Sequence, residues 1–351
     1  MKIDLNATLR LHNTFGFDVF AERLVHITDR QEIPELVEKA NKDKASWTIL
    51  GGGSNLVLAK NIPGYVGLMA IKGRRLIKET DSHFHVEAMA GENWHDFVAW
   101  TLQQGYAGLE NLALIPGTVG ASPIQNIGAY GLELADVFDS LEAFDTHTQQ
   151  WIRFDKASCQ FAYRDSIFKH QARRYIVSSV CFALPKQWQA NLAYGELAKA
   201  FTNSTSTTST TSTTPSVTAL AIFDKVCEIR RAKLPDPKVL GNAGSFFHNP
   251  IISNEQYGNL KQEFPELVAY EVSVPSDLIK TWKLAAGWLI DQCGFKGHRQ
   301  GAVGVYDKQA LVLVNHGGGT GEQLLQLAQD IQQKVQEKFK VQLTIEPVIF
   351  Q

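Results

Sequence analysis

The chain has 351 residues, 44% apolar and 20% charged, with a formal net charge of −2. That length exceeds what one core usually holds and predicts two or three domains. The near-neutral balance, with no Lys/Arg run interleaved with aromatics, excludes the footprint of a nucleic-acid binder; no apolar run reaches about 18 residues, so no membrane span is expected.

Met1 to Ala7 has no signal-type apolar run, and the expected location is the cytoplasm. Cys159, Cys181, Cys227 and Cys293 lie far apart without a Cys-x-x-Cys spacing, which reads as reduced thiols. The ten histidines form no metal-ligating pattern, so no metal is expected.

In chain order, Asp29 is positioned to cap a helix with Ile33, Leu36, Val37 and Ala40 on one face. Trp47 to Leu50, then Gly51-Gly52-Gly53-Ser54-Asn55, then Leu56 to Leu58 reads as strand, glycine turn, strand. The turn is neither a G-x-G-x-x-G opening a helix nor a G-K-[ST] loop, so it is a plain β-turn or a cradle for pyrophosphate oxygens. His83 to Ala88 alternates as a strand, and Trp94, Phe97, Val98 and Leu102 line a helix that stops at Gly105.

The stretch Ile115 to Gly131 follows, with glycines at 117, 120, 128 and 131 and prolines at 116 and 123 threaded by Ile and Val. It reads as a buried loop, either a tight crossover or backbone shaped for close approach to a diphosphate. Antiparallel strand is expected between Glu133 and Leu184, with Tyr175 to Val177 and Val180 to Phe182 on either side of Ser178-Ser179. Residues 202 to 215, almost all Ser, Thr and Asn, have nothing to bury and read as a disordered surface insertion. Further expectations are a helix around Ala219 to Ala232, a loop from Gly241 to Pro250, a helix near Trp282 to Cys293 and a strand at Leu311 to Val314. The last helix, capped by Thr320, buries Leu324, Leu327, Ala328, Ile331, Val335 and Phe339, and a final strand Val341 to Phe350 carries Glu346. The pattern is mixed α+β without strict alternation.

Several residues carry chemistry, each readable in two ways. Arg164, in an aromatic context, is a carboxylate-binding fork, or the cluster it shares with Asp165 is a structural ion pair. Ser245 lies between a glycine and two Phe residues as a proton donor, or is a turn serine bonded to backbone. Glu346 on an apolar strand is paired, neutral or solvent-facing. Arg230, Arg231 and Lys233 grip phosphate or form a solvated helix end.

Gly51 to Asn55, Ile115 to Gly131, Tyr163 to Lys169, Lys233 to Pro237, Gly241 to Pro250, Ala285 to Ile290 and Glu346-Pro347 occur here in an order that resembles the UDP-N-acetylenolpyruvoylglucosamine reductase family over nearly the whole chain. Ala193 to Leu197 resembles the substrate-covering loop of that family's long form.

The resemblance implies an α+β fold: a PCMH/vanillyl-alcohol-oxidase-type FAD-binding domain over 1–190 with subdomains about 1–70 and 71–190, a substrate loop and Ser/Thr-rich insertion over 191–218, and an α+β substrate-binding domain over 219–351. It implies FAD held noncovalently by Gly51, Gly52, Gly53, Ser54 and Asn55 and by Ile115, Pro116, Gly117, Thr118, Gly120, Ala121, Gln125, Asn126, Gly128, Ala129, Tyr130 and Gly131. It implies Arg164, Ser245 and Glu346 as catalytic residues, with Ser245 the proton donor, and Tyr163, Tyr194, Arg230, Lys233 and Asn249 as substrate contacts. The implied reaction is NADPH-driven reduction of UDP-N-acetylglucosamine enolpyruvate to UDP-N-acetylmuramate, a peptidoglycan precursor, by a monomer without nucleic-acid or membrane partners. His248 stands where the family often has Lys. The rivals are an oxidase on the same FAD domain, which often tethers flavin through His or Cys, and a sugar-nucleotide-binding regulator without turnover.

Overall fold

The computed structural model describes residues 1–193, 195–202, 217–272 and 280–351; Tyr194, most of the Ser/Thr tract (203–216) and 273–279 lie outside the described residues. Two compact units divide the chain: Met1–Ala7, Ala21–Gly53 and Ile62–Ala232 form the first, and Thr8–Phe20, Ser54–Asn61 and Lys233–Gln351 the second. The helix Ala219–Lys233 therefore counts almost entirely with the first unit.

The first unit holds two sheets. One runs in the order Ile3–Thr8, Phe20–Ile27, Ile62–Met69, Trp47–Leu50, with Ile62–Met69 parallel to the strands on both sides of it that the register defines. The helix Glu32–Lys42 buries Ile33, Leu36, Val37 and Ala40 against this sheet's core, as the spacing predicts. The cap differs from expectation: Asp29 Oδ1 accepts the Gln31 amide at 2.8 Å and the helix opens at Glu32, whose Oε2 folds back onto the Thr28 and Asp29 amides.

The second sheet is antiparallel, in the order Gln150–Asp155, Phe138–Asp145, Tyr175–Pro185, His83–Met89, Arg74–Glu79. Tyr175–Pro185 is one continuous strand, not two segments parted at Ser178-Ser179. Both serines are buried, and their hydroxyls reach Glu142 and Glu87, so they satisfy themselves inside the sheet without breaking it. The helix Trp94–Gln103, capped by Asn93 Oδ1 on the Asp96 amide, packs Trp94, Phe97 and Val98 into the large core beside this sheet. Ile222, Val226 and Cys227 of Ala219–Lys233 join the same core.

The second unit has a four-stranded sheet (Gly241–Ser245, Val312–Asn315, Val303–Val305, Arg299–Gln300) and a three-stranded sheet (Ile251–Ser253, Thr281–Leu284, Ala269–Val272). Its last helix, Gly321–Phe339, has the expected Thr320 cap within a capping box with Gln323, and the expected apolar face is buried throughout. Three expectations are corrected here. Gly241–Ser245 is a strand, made possible by a register irregularity between Asn242 and Ser245. Trp282 lies in a strand opposite Ile252 and Glu271, and the helix starts only at Ala286. The final strand is confined to Val348–Phe350, since Pro347 has no amide for a ladder, and it pairs in parallel with Leu56–Leu58. The glycine turn thus joins strands belonging to different units and is not a hairpin turn.

Candidate active site

Trp47–Leu50 ends in Gly51-Gly52-Gly53, with Gly53 at φ 64°. This turn lies against the stretch from 115 to 131: a Cβ on Gly52 would stand 2.8 Å from Gly117 Cα, and one on Gly51 would stand 2.6 Å from Thr118 Oγ1 and 3.4 Å from Ala121 Cβ. Two segments distant in sequence therefore form a single cradle whose walls are backbone.

The longer segment is pinned from below. The Gly117 carbonyl accepts from the Trp94 amide (3.1 Å), and the Val119 and Gly120 amides donate to the carbonyls of Glu92 and Ala90 (both 2.9 Å). Val119, Gly120, Ser122, Asn126 and Ile127 are buried, whereas Pro116, Ala121 and Gly131 are exposed, so the buried-loop expectation holds for its middle. Ile115 packs partly against the core and Gln125 is half-buried. Asn126 donates to Glu133 Oε2 (2.8 Å) and the Ala162 carbonyl (3.1 Å) and accepts from the Ala135 amide (2.9 Å). Gly128–Ala129 pairs with Leu132–Glu133 around Tyr130 (φ 49°) and Gly131 (φ 81°), the two positive φ values of a tight primed turn.

Arg164 reaches the end of this segment. Tyr163 and Arg164 occupy the middle of a turn closed by reciprocal backbone bonds between Ala162 and Asp165, with Arg164 at φ 55°. Arg164 Nη2 donates to the Gly128 carbonyl at 2.6 Å, and Lys169 Nζ donates to the Arg164 carbonyl at 2.9 Å. Asp165 pairs with His170 at 2.7 Å, and Tyr163 is 39% exposed with the Arg164 guanidinium 5.5 Å from its ring.

Arg230 approaches from the helix Ala219–Lys233. It is half-buried, hydrogen-bonds Tyr130 and feels the like charge of Arg164. Burial pushes its pKa down, Tyr130 acts against that, and its Nε has no partner among the described residues. Two guanidiniums converging beside an unpartnered donor make a place that favours an anion.

Sequence reasoning missed two residues here. Asn111, fully buried, donates to the carbonyls of Tyr130 (2.8 Å) and Asn191 (2.9 Å), while its Oδ1 lacks a partner among the described residues. His95 Nδ1 accepts the Leu114 amide at 3.1 Å, where Leu114 holds φ 59°, and its ring stacks on Phe223. Burial holds its pKa below the usual histidine range, with Arg231 and Arg230 adding to this and Asp96 opposing it.

In the second unit, Ser245 ends its strand opposite Val312 at an exposed position and follows Gly244 at φ 71°. Phe246 and Phe247 are buried behind it and anchor the segment: the Phe246 carbonyl accepts the Glu346 amide at 2.9 Å, and the His248 amide donates to Thr344. Glu346 is mostly buried, with Oε2 3.7 Å from His248 Nδ1. Asn249 Oδ1 accepts the Ala286 amide at 2.9 Å, which fixes its side chain at the start of the helix Ala286–Gln292. Lys233 closes its helix in an exposed position, and Asn55, next to Ser54, accepts the Val348 amide at 3.0 Å. Tyr194 lies outside the described residues.

The cradle suits a dinucleotide: at Gly51 and Gly52 a side chain would collide with the facing loop, and Arg230 Nε awaits an acceptor. Neither segment contains His or Cys, so nothing in them would tether a flavin covalently.

Comparison with known proteins agrees. Residues 21–153 match the FAD binding domain family, and 236–350 match the C-terminal domain of UDP-N-acetylenolpyruvoylglucosamine reductase. The reductase of that name from Polynucleobacter asymbioticus is 53% identical over 348 residues, covering 99% of this chain and 96% of the relative. Its Paraburkholderia xenovorans counterpart is 50% identical, covering 97% and 95%. The crystal structure of the Thermus caldophilus reductase superposes over 100% of both chains with a TM-score of 0.68 at 22% identity, which establishes the likeness of fold.

Proposed function

The chain belongs to the UDP-N-acetylenolpyruvoylglucosamine reductase family, and on that premise we propose how its own residues reduce the enolpyruvyl ether of UDP-N-acetylglucosamine with electrons from NADPH. The observation that carries the reading is the convergence of Arg164 and Arg230 at the Gly128–Tyr130 end of the cradle. The substrate brings a carboxylate and a diphosphate, the anions that such a pair of forks binds.

Gly51 to Asn55 and the 115–131 segment would hold FAD noncovalently, and the bound flavin would supply hydride chemistry at the substrate's methylene carbon. Negative charge then develops on the neighbouring carbon and spreads into the carboxylate. Arg164, oriented by its bond to the Gly128 carbonyl, offsets that charge without reorganising. Ser245 delivers the proton to the same carbon. An ionised Glu346 would repel the enolate, so Glu346 acts as the neutral acid, or through Arg164 or a water; its Oε2 stands 3.7 Å from His248 Nδ1. Tyr163, Tyr194, Arg230, Lys233 and Asn249 hold the nucleotide-sugar.

An anaerobic visible spectrum tests the reading. NADPH should bleach the bound flavin and the enolpyruvyl substrate should restore the oxidised spectrum. Ser245→Ala should keep the first step and block the second; equal loss of both steps would refute the proton-donor role.

A further inference from the structure

The antiparallel sheet of the first unit gathers a second set of reactive side chains that the flavin chemistry does not use. His85 sits on His83–Met89, Asp139 on Phe138–Asp145 and Cys181 on the strand between them, Tyr175–Pro185. Ladder register explains the meeting. Cys181 lies opposite Glu87, and His85 opposite Ala183, so Cys181 and His85 point to one face of the sheet. On the other side, Phe138 faces Phe182 and Ser140 faces Cys181, which leaves Asp139 as the extra residue of a bulge. A bulge re-aims a side chain, and here it turns the Asp139 carboxylate onto the face already holding the imidazole and the thiol.

One donor atom from each residue, N, O and S, lies within 4.8 Å of the others. His85 Nδ1 is 3.1 Å from Asp139 Oδ1, while Oδ2 accepts from Ser140 Oγ at 2.7 Å and is 3.4 Å from Arg153 Nη2, so the carboxylate is held by neighbours outside the cluster. Cys181 lines a hollow of about 290 Å³ together with Ser140, Glu87 and three arginines, Arg30, Arg75 and Arg153, so the thiol side of the cluster opens to solvent. We infer that His85, Asp139 and Cys181 form a divalent-cation site of zinc type, with three protein ligands and one open position.

The charge balance is consistent. Burial, then Asp139 and Glu87, push the Cys181 thiol up to about 12, so without a metal it keeps its proton. Binding forms a metal–sulfur bond and releases that proton to solvent, while the Asp139 carboxylate and a His85 ring nitrogen donate lone pairs. The three ligands lie 42 and 54 residues apart along the chain, counted from 139 to 181 and from 85 to 139, so no sequence spacing announces them.

The test uses the flavin-loaded protein, stripped by chelator and titrated with Co²⁺ while difference spectra are read in the red, beyond the flavin bands, and in the near ultraviolet. The expected result is one equivalent bound, tetrahedral d–d bands, a thiolate charge-transfer band and release of one proton. Cys181→Ser should abolish the charge-transfer band with flavin content and turnover unchanged. His85→Gln, at a half-buried position, should weaken binding at least tenfold and keeps the test decisive if the cysteine variant fails to fold. Absence of stoichiometric binding, or bands that survive both substitutions, would overturn the site and leave the three residues as a hydrogen-bonded network; neither result bears on the reductase reading.

Discussion

Arg164 combines a strained backbone with a guanidinium fork bonded to the Gly128 carbonyl. A non-glycine residue at φ 55° is destabilised by roughly 1–2 kcal/mol, and the Ala162–Asp165 bonds and Lys169 hold it there. Arg164→Ala should raise the barrier of flavin reoxidation by about 2.7–4 kcal/mol, and Arg164→Lys should recover little because the charge returns without the planar fork. Single-turnover reoxidation measures both; full activity in the lysine variant would show that charge alone suffices. His95 sets a pH dependence at the same scale. Its lowered pKa means the unfolded chain binds the proton more readily, so its contribution is complete above about 6.5 and declines as pH falls from there toward the folded value. Protonation also removes the acceptor for Leu114, so flavin affinity should fall over that acid range, and His95→Phe should be weak-binding at every pH. A titration of free FAD against pH decides it. Arg164, Ser245 and Glu346 stand out in the sequence as candidates because they sit in recognisable motifs; Asn111 and His95 do not, because their partners, Tyr130, Asn191 and Leu114, are chosen by the folding of distant loops.

Among elements, the glycine turn and the last helix make contrasting demands. At Gly52 an added Cβ meets the backbone of Gly117, which cannot yield, whereas at Gly51 the nearest atom is the rotatable Thr118 hydroxyl. Gly52→Ala should therefore weaken flavin binding more than Gly51→Ala, as fluorescence titration of the apoprotein would show; the reverse order would place the cradle elsewhere. In Gly321–Phe339 the Thr320 side chain accepts the Gln323 amide, and Thr320→Ala should lower unfolding stability by about 1 kcal/mol, read from denaturant melts. Helices with a clear 3.6-residue period were legible to within a turn, as Glu32–Lys42 and Gly321–Phe339 show. Trp282 was misassigned because the apolar run Trp282 to Ile290 suits helix and strand alike, and pairing with Ile251–Ser253 and Ala269–Val272 settles its first part as strand.

For the molecule as a whole, stability should fall in acid in two stages. Burial tends to raise the Asp145 pKa, but Arg174 and the His147 and Thr148 amides outweigh it and hold it below the usual carboxylate range. Its contribution is present above the unfolded value and lost as pH falls through the folded one, beneath the stage that His95 and His316 set below about 6.5. Thermal melts across pH should show both stages, and Asp145→Asn should lose more stability at neutral pH than in acid, where the native carboxylate progressively loses its advantage over the unfolded one. Composition and period determined the α+β character, the faces of the long helices and, through motif order, the family. Tertiary structure alone decided that Leu56–Leu58 pairs with Val348–Phe350, that the two glycine segments form one cradle, and that Arg230 hydrogen-bonds Tyr130 within the field of Arg164. Periodicity records only which way a side chain faces along its own element; which remote segment it then meets depends on burial and backbone pairing over the whole chain.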